Sequence, residues 1–489
     1  MIWWVWAGAA HAERPVTYSE ALDAAASNAI GVVDARLLRD RAEAAVRASQ
    51  GRFDPLYTLD ASTSRSRTQG FFQGFPYTNL RRAWVVSNNV SGTAGTGTSY
   101  SVDFSVDRNI SEFTTDLGGG PTTQLQDAYR SDVSVSVTQQ LLKGIRFRYN
   151  TQNVVAARNA LTAAELTVEQ QRQGVLYDAA SAYWTWVYAV ELRDNAQEAL
   201  SVAEEALRVG KLQVERGQLA PVEATRLEAA LVQARQAALD TDVSAEQAAD
   251  QVLLLMGESP DQVVLPATEA GDVPSFDLDP ERAAAVARES NLDLRVARQE
   301  LDTARIQLAN DKHATLPTLA ASAAAGVGSQ RCPPGTTNAD CTVGNTVDAI
   351  GGLLQDDNQP FWTVGGTFSV PIGNRSAAGR RDQSAADVAR AERQLADLER
   401  VVDGQVQSQV RVLSSARQRT ELADANLRLA EETLKAEEAL AAAGRSIQKD
   451  VLEARTNVER AKAEAAKART DYRLAQARLL RLQGQLQIE

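Results

Sequence analysis

Histidine and cysteine are nearly absent from this sequence of 489 residues, with two of each. His11 lies in an N-terminal segment with the character of a leader, so His313 is the only imidazole left. That removes most His-based metal sites and Ser-His or Cys-His catalysis from the candidates. Positive charge is also short: 51 Lys+Arg stand against 63 Asp+Glu, a net charge of −12. No basic stripe is available to neutralise phosphates, which argues against a nucleic-acid binder. Long apolar runs are missing. The longest uncharged one, Met1–Ala10, falls well below the roughly 18–20 residues of a spanning helix. Any passage through a bilayer therefore has to be made as a β-barrel. Aromatics make up only 6% against 44% hydrophobic residues, so the core is built mainly from Ala, Leu and Val.

What is present begins with Met1–Ala12, an apolar stretch ending in small residues around Ala10-His11-Ala12. It reads as the end of a secretory signal with a mature start near Glu13. The only thiols, Cys332 and Cys341, sit nine apart in a Gly/Pro/Asn loop, and in an exported chain such a pair favours a local disulfide. Two idle thiols or half of a metal site are the alternatives, the second needing ligands that the sequence does not supply nearby.

Proline punctuates the chain unevenly. None of the 14 falls between Pro121 and Pro221 or after Pro371, and those stretches are rich in Ala, Leu, Glu, Gln and Arg, the strong helix formers. The spacing predicts a helix from about 148 to 211, roughly 95 Å long at 1.5 Å per residue. Two offset seams mark the second helical stretch: Leu427, Ala430, Leu434 and Ala441, then Leu422, Ala425, Leu429, Ala436, Leu440 and Ala443. Two seams imply neighbours on more than one side, as in a sheath or tube.

Strands are expected where apolar and polar residues alternate, as in Val133, Val135 and Val137 against Asp132, Ser134 and Ser136. Leu56–Thr63 and Ser131–Leu142 bracket a long Gly/Ser/Thr/Asn region, in which Ser99–Val106 alternates as well. Leu316–Gly326 and Phe361–Ile372 bracket the cysteine loop. Thr58–Ser62 (TLDAS) recurs as Thr318–Ser322 (TLAAS), marking an internal duplication. The expected organisation is a leader over 1–12 and a first repeat over 13–256, with its β-hairpin at 55–142 and long helical hairpin at 148–256. A Pro-rich linker over 257–280 follows, then a second repeat over 281–489, with a β-hairpin at 315–372 and a helical hairpin at 376–486.

Taken in order along the chain, these features resemble the TolC-like outer-membrane factor (outer membrane efflux protein) family. The resemblance is carried by Phe53-Asp-Pro-Leu56 before the first strand, Gln139-Gln-Leu-Leu-Lys-Gly144 after the second and Ala182-Tyr-Trp184 in the long helix. It continues through Leu316-Pro317, Val370-Pro371 and Gly444-x5-Asp450-Val-Leu-x-Ala454. Gln140 stands where the family often has proline, and the first hairpin is unusually long. The resemblance implies a mainly α fold with a membrane β-barrel portion: long antiparallel helical hairpins form a periplasmic tunnel, and four strands per chain complete a trimeric 12-stranded barrel. Four strands alone cannot close, whereas twelve from three chains leave no edge in lipid. The function it implies is passive export through the outer membrane of a Gram-negative bacterium, as the exit duct of a tripartite efflux or type I secretion system. The implied partners are a homotrimer, a periplasmic adaptor, an inner-membrane pump and outer-membrane lipid, with no nucleic acid and no obligatory cofactor or metal. A non-pore periplasmic or surface coiled-coil scaffold is the alternative, but it would not need paired alternating strands. An enzyme on a helical stalk would need a catalytic constellation that the sequence does not offer.

Site candidates follow from the same resemblance. Asp450 and Glu453 lie three apart and share a helical face; the resemblance places them at the closed tunnel mouth, against a plain reading as a solvated face with Glu453 paired to Lys449. Glu223 is the equivalent of Asp450 in the first repeat, where the family has an interhelix latch; its basic partner would fall on Ser446, with Arg445 adjacent. Gly217 and Gly444 suit tight helix-to-helix turns, and both tips are candidates for adaptor contact. Tyr183, Trp184, Trp186 and Tyr188 read as core packing. Phe71, Phe72, Phe75, Trp84, Phe361 and Trp362 are candidates for interfacial girdles.

Overall fold

The computed structural model describes residues 14–116, 118–260, 262–268, 279–334, 341–356, 358–443, 445 and 448–487. The expected leader, Gly444 and Ser446 lie outside them. In chain order come β1 (Arg14–Val16), α1 (Tyr18–Asn28), α2 (Ile30–Gln50), β2 (Leu56–Phe72), β3 (Phe75–Thr93), β4 (Thr98–Asp116) and β5 (Pro121–Gln140). There follow α3 (Phe147–Asn150), α4 (Gln152–Glu215), α5 (Pro221–Met256), β6 (Val264–Pro266), α6 (Pro280–Ser290) and α7 (Leu292–Ala314). The chain closes with β7 (Thr318–Arg331), α8 (Thr346–Gly352), β8 (Gln359–Ser369), α9 (Arg375–Ala442) and α10 (Gln448–Leu482). The chain divides into two compact units, one of residues 1–41, 162–301 and 390–489, the other of residues 42–161 and 302–389.

The first unit is helical. Uninterrupted runs of good helix formers make α4 64 residues long and α9 68, close to 100 Å each at 1.5 Å per residue. Val402, Val406, Val410 and Leu413 of α9 form a buried stripe against Ala283, Ala284 and Ala287 of α6 and Tyr472, Ala475 and Leu479 of α10. The small alanines let the helices approach closely. Tyr183 and Trp186 are fully buried, packing with Val16, Val252, Leu253 and Met256. The Tyr183 hydroxyl donates to the Val16 carbonyl and accepts from the Thr268 amide, both at 3.0 Å. It thereby clamps the parallel β1–β6 ladder, which pairs Arg14 with Val264. Of the aromatic cluster, Tyr183, Trp184 and Trp186 are core, and Tyr188 is half-buried.

The second unit holds one sheet of six strands, in the order β2-β3-β4-β5-β7-β8 with every pairing antiparallel. Here the sequence reading needs correction. The expected four strands per chain are six, and the supposed hairpin at 55–142 is a four-stranded meander. The Gly/Ser/Thr/Asn region between the outer two strands is itself β-structure, because Thr, Val, Tyr and Trp suit a pleated surface. Gln73 and Gly74 both take positive φ (49° and 86°), the two-residue hairpin geometry that matches strand twist.

Ladder register assigns the two faces. One face carries Tyr57, Leu59 and Ala61 of β2, Val86 and Val90 of β3, Tyr100, Val102, Phe104 and Val106 of β4, and Val133, Val135 and Val137 of β5. It continues through Ala323, Ala325 and Val327 of β7 and Trp362, Val364 and Phe368 of β8. The opposite face carries Asp60, Ser62, Ser87, Asn89, Asp103, Ser105, Asp132, Ser134, Thr138, Ser322 and Thr363. Polar groups on that face bond to one another: Asn89 donates to Asp103, Ser101 donates to Asp103 at 2.7 Å, and Ser101 meets Ser136 at 2.9 Å. Close packing within the sheet depends on Gly326. A Cβ there would meet the Val133 carbonyl at 2.4 Å and the Phe361 ring at 2.6 Å.

His313 is buried in this unit, its Nε2 accepting from the Gly144 amide at 3.4 Å and its ring edge-on to Tyr149. Burial, with Arg146 and Lys143 adding positive potential, holds the imidazole below its ordinary value. A base whose pKa is lowered on folding contributes stability that is intact above the unfolded value of about 6.5 and is lost as pH falls through the folded value. Thermal midpoints in detergent should therefore decline on acidification below about pH 6.5, and His313→Asn should flatten that part of the profile. An unchanged slope in the variant would remove His313 from the account.

Candidate functional site

The helix tips are built from local backbone chemistry. At the end of α4, Gly217 takes φ +68°, and the Gln218 amide donates to the Gln213 carbonyl at 2.8 Å. This is the left-handed closure that glycine permits at a helix end. Pro221 occupies the first turn of α5, where its missing N–H costs nothing. Glu223, in that same turn, pairs with Arg226 of its own helix at 2.6 Å. The described residues of the second tip include Arg445, exposed, with its amide donating to the Leu440 carbonyl at 2.9 Å. Glu223 and Arg445 are not paired with each other; the acid has taken the cation three residues along its own helix.

Asp450 and Glu453 are both exposed on α10, whereas Ala454, Val458, Ala461 and Ala465 are buried along another face. Their i, i+3 spacing sets both on the exposed side of the helix. Further down the same helix, Lys462 bridges Glu198 of α4 at 2.9 Å and Glu459 at 3.5 Å. Burial raises the Glu459 carboxyl above its ordinary value, against the pull of Lys462.

Apolar stripes remain open on these helices. On α9 the seam of Leu427, Ala430 and Leu434 is half-buried within the chain, whereas Leu422, Leu429 and Leu440 of the other seam are 71%, 57% and 41% exposed. Val232, Leu239 and Val243 form a second open stripe on α5, and Ile30, Val33 and Leu37 a third on α2. The sheet is equally incomplete. β2 and β8 are its edges, and β8 is exposed along its whole length.

Cys332 and Cys341 are joined by a disulfide, with Cα atoms 5.8 Å apart. The loop they close leads into α8, whose Asn345 and Asp348 form a reciprocal cap at its start. Among the described residues, no group of three or more His, Cys, Asp or Glu side chains comes together as a metal site, and no helix is long and apolar enough to cross a membrane.

Residues 284–485 match the profile of the family described as Outer membrane efflux protein. Residues 284–485 belong to the outer membrane efflux protein family. The outer-membrane, efflux and transport character expected from the sequence goes with that membership. No curated protein matches the sequence. Among solved structures, the chain is similar to the Campylobacter jejuni CmeC outer membrane channel, with 14% identity and a TM-score of 0.62 over 96% of this chain and 85% of that one. It is similar to the Vibrio cholerae outer membrane protein VceC, with 14% identity and a TM-score of 0.61 over 96% of both chains. It also matches the open state of the Neisseria gonorrhoeae MtrE outer membrane channel, with 16% identity and a TM-score of 0.60 over 96% and 90%. At these identities the likeness is one of fold, and it spans almost the whole of this chain. The mainly helical architecture with an attached sheet is thereby common to the chain and to these channels.

The sequence reading missed the full polar face of the sheet. Its signal was present in Ser99–Val106, but β3 hides it. Trp84, Val85 and Val86 are consecutive apolar residues, and Arg81 and Arg82 consecutive cations, so period-two alternation fails there.

Proposed function

We propose that three copies of the chain form a passive exit duct through the outer membrane, with a periplasmic helical tunnel fed by a periplasmic adaptor and an inner-membrane pump. The observation that carries this reading is the sheet: one face apolar, one face lined by hydroxyls, amides and carboxylates, and two unprotected edges. Apolar positions spanning about seven residues per strand make a band of roughly 23 Å at 3.3 Å per residue, close to the ~25 Å band of outer-membrane barrels. The polar face lines the water-filled passage. An edge of unpaired N–H and C=O groups is untenable in lipid, so the edges must meet partners. Strand direction alternates across six strands, so β8 of one copy runs antiparallel to β2 of the next. Three copies then close a ring of eighteen strands, in place of the twelve expected from sequence. Barrel diameter grows roughly linearly with strand number, and rings of 16–18 strands enclose aqueous channels.

The open stripes on α2, α5 and α9 support the same assembly, since neighbouring copies would cover them. Within this reading the chain consists of two repeats, 13–256 and 281–489, joined by 257–280. Asp450 and Glu453, with Glu223 nearby, form the periplasmic gate. The tips around Gly217, Gly444, Arg445 and Ser446 meet the adaptor, and the disulfide-closed loop lies on the extracellular side. No step of this function requires covalent chemistry or a cofactor.

Paired cysteines test the ring. Leu59→Cys is combined in turn with Trp362→Cys, Val364→Cys and Gly366→Cys, residues that share the apolar face. One of these pairs should give a covalent trimer on non-reducing gels, while Leu59→Cys with Thr363→Cys, on the opposite face, should not. Cross-links from β8 to β4 instead would mean a smaller ring with the β2–β3 hairpin left outside it.

A further inference from the structure

The β2–β3 hairpin runs against the charge of the protein. Between Leu56 and Thr93 it carries four arginines (Arg65, Arg67, Arg81 and Arg82) and a single acid, Asp60, in a chain of net charge −12. Arg65 stands directly opposite Arg82 in the ladder, and Arg67, opposite Leu80, is diagonal to it on the same face. Like charges placed opposite one another destabilise a strand pair. Arg82 is relieved by Glu112 of β4 at 3.1 Å. Arg65 and Arg67 are exposed, and among the described residues neither forms an ion pair. Two guanidinium groups are thus held side by side without counter-charge.

Their position on the pleat matters as much as their charge. Both β2 arginines lie on the apolar face, and the other face of β2 offers only Ser64, Ser66 and Thr68 at this level. Immediately below them on that same face come Thr63, Ala61, Leu59 and Tyr57, beside Trp84, Val86 and Val90 of β3. A row of guanidinium groups therefore sits at the upper rim of an apolar wall. An amphiphile with anionic groups above hydrocarbon chains fits that order; a soluble polyanion would gain nothing from the wall. The planar guanidinium fork suits a phosphate, which it grips through two parallel N–H···O bonds.

We propose that Arg65 and Arg67, with Arg82 beside them, bind the phosphate groups of a phosphorylated glycolipid of the lipopolysaccharide class in the outer leaflet, its acyl chains lying on the wall formed by Leu59, Ala61 and Val86. The proposal rests on the reading that this face meets lipid. It makes the hairpin a lipid-binding site as well as part of the duct wall.

The test is native mass spectrometry of the purified full chain in detergent, with three probes: bisphosphorylated diglucosamine lipid (lipid A), its enzymatically dephosphorylated form, and phosphatidylglycerol. Wild-type protein should retain lipid A at least tenfold more tightly than either of the others. Arg65→Gln/Arg67→Gln should abolish that preference while membrane fractionation and channel conductance stay as in wild type. Arg65→Lys/Arg67→Lys should keep part of it, since charge remains but the fork is lost. Equal retention of lipid A and its dephosphorylated form by wild type would overturn the proposal, and that comparison needs no variant. Equal retention of phosphatidylglycerol would overturn it too, reducing the site to general anion attraction. Failure of the duct reading shows separately, as absent conductance in wild type.

Discussion

Tyr183→Ala is expected to destabilise the helical unit by about 3–5 kcal/mol, the range for truncating a large buried aromatic side chain. The ring is fully buried and stands edge-on to Tyr18, Trp184 and Trp186. Its hydroxyl joins the Val16 carbonyl to the Thr268 amide, so the truncation leaves a cavity and releases the β1–β6 ladder together. Tyr183→Phe separates the two contributions. The Val16 carbonyl keeps its bond from the Ala267 amide at 2.8 Å, and the cost is then mainly the stranded Thr268 N–H, about 1–3 kcal/mol. Denaturant titration followed by tryptophan fluorescence measures both variants. Equal losses for Phe and Ala would contradict the packing account.

The second large effect concerns the proposed gate. If Asp450 and Glu453 face the tunnel axis in a trimer, six carboxylates share one narrow ring. Such crowding favours cation passage and invites multivalent hard cations to bind across subunits through oxygen ligands. Asp450→Ala/Glu453→Ala should then weaken block by a trivalent cation applied from the periplasmic side on the order of tenfold, equivalent to about 1.4 kcal/mol. Cation selectivity should fall with it, while assembly is retained because neither side chain is buried. Glu223→Ala should act mainly on opening frequency, by freeing Arg226. Reversal potentials under a salt gradient and block titrations read these outcomes. Unchanged selectivity and block in the double variant would return both residues to a solvated helix face.

Helices were legible in the sequence because proline is absent where they run and because their apolar seams repeat over many turns. The 148–211 stretch and α4 differ by only a few residues at each end. Strands were legible where alternation is clean, as at Val133–Val137, and illegible where it breaks, as at Arg81–Arg82 and Trp84–Val86. The turn at Gln73-Gly74 also gave a weak signal, because Asn or Asp is the usual residue before glycine in such hairpins. Four strands were therefore read where the sheet has six, and the arginine pair on its apolar face went unseen. The tip residues were legible as a helical face through the Asp450–Glu453 spacing. What they face depends on other copies of the chain, and one sequence carries no direct record of that. Glu223 shows the same limit in reverse: its ion-pair partner, Arg226, was in view, but the family's latch pointed across the tip, where this sequence has Ser446 in place of a base.

Single-channel recording on the purified chain in planar bilayers, taken together with its mass in detergent, tests the central claim most directly. The account predicts a trimer that inserts from one side and gives discrete, cation-selective conductance steps. A monomer that stays soluble without detergent, keeps a mainly helical spectrum and produces no conductance would contradict it.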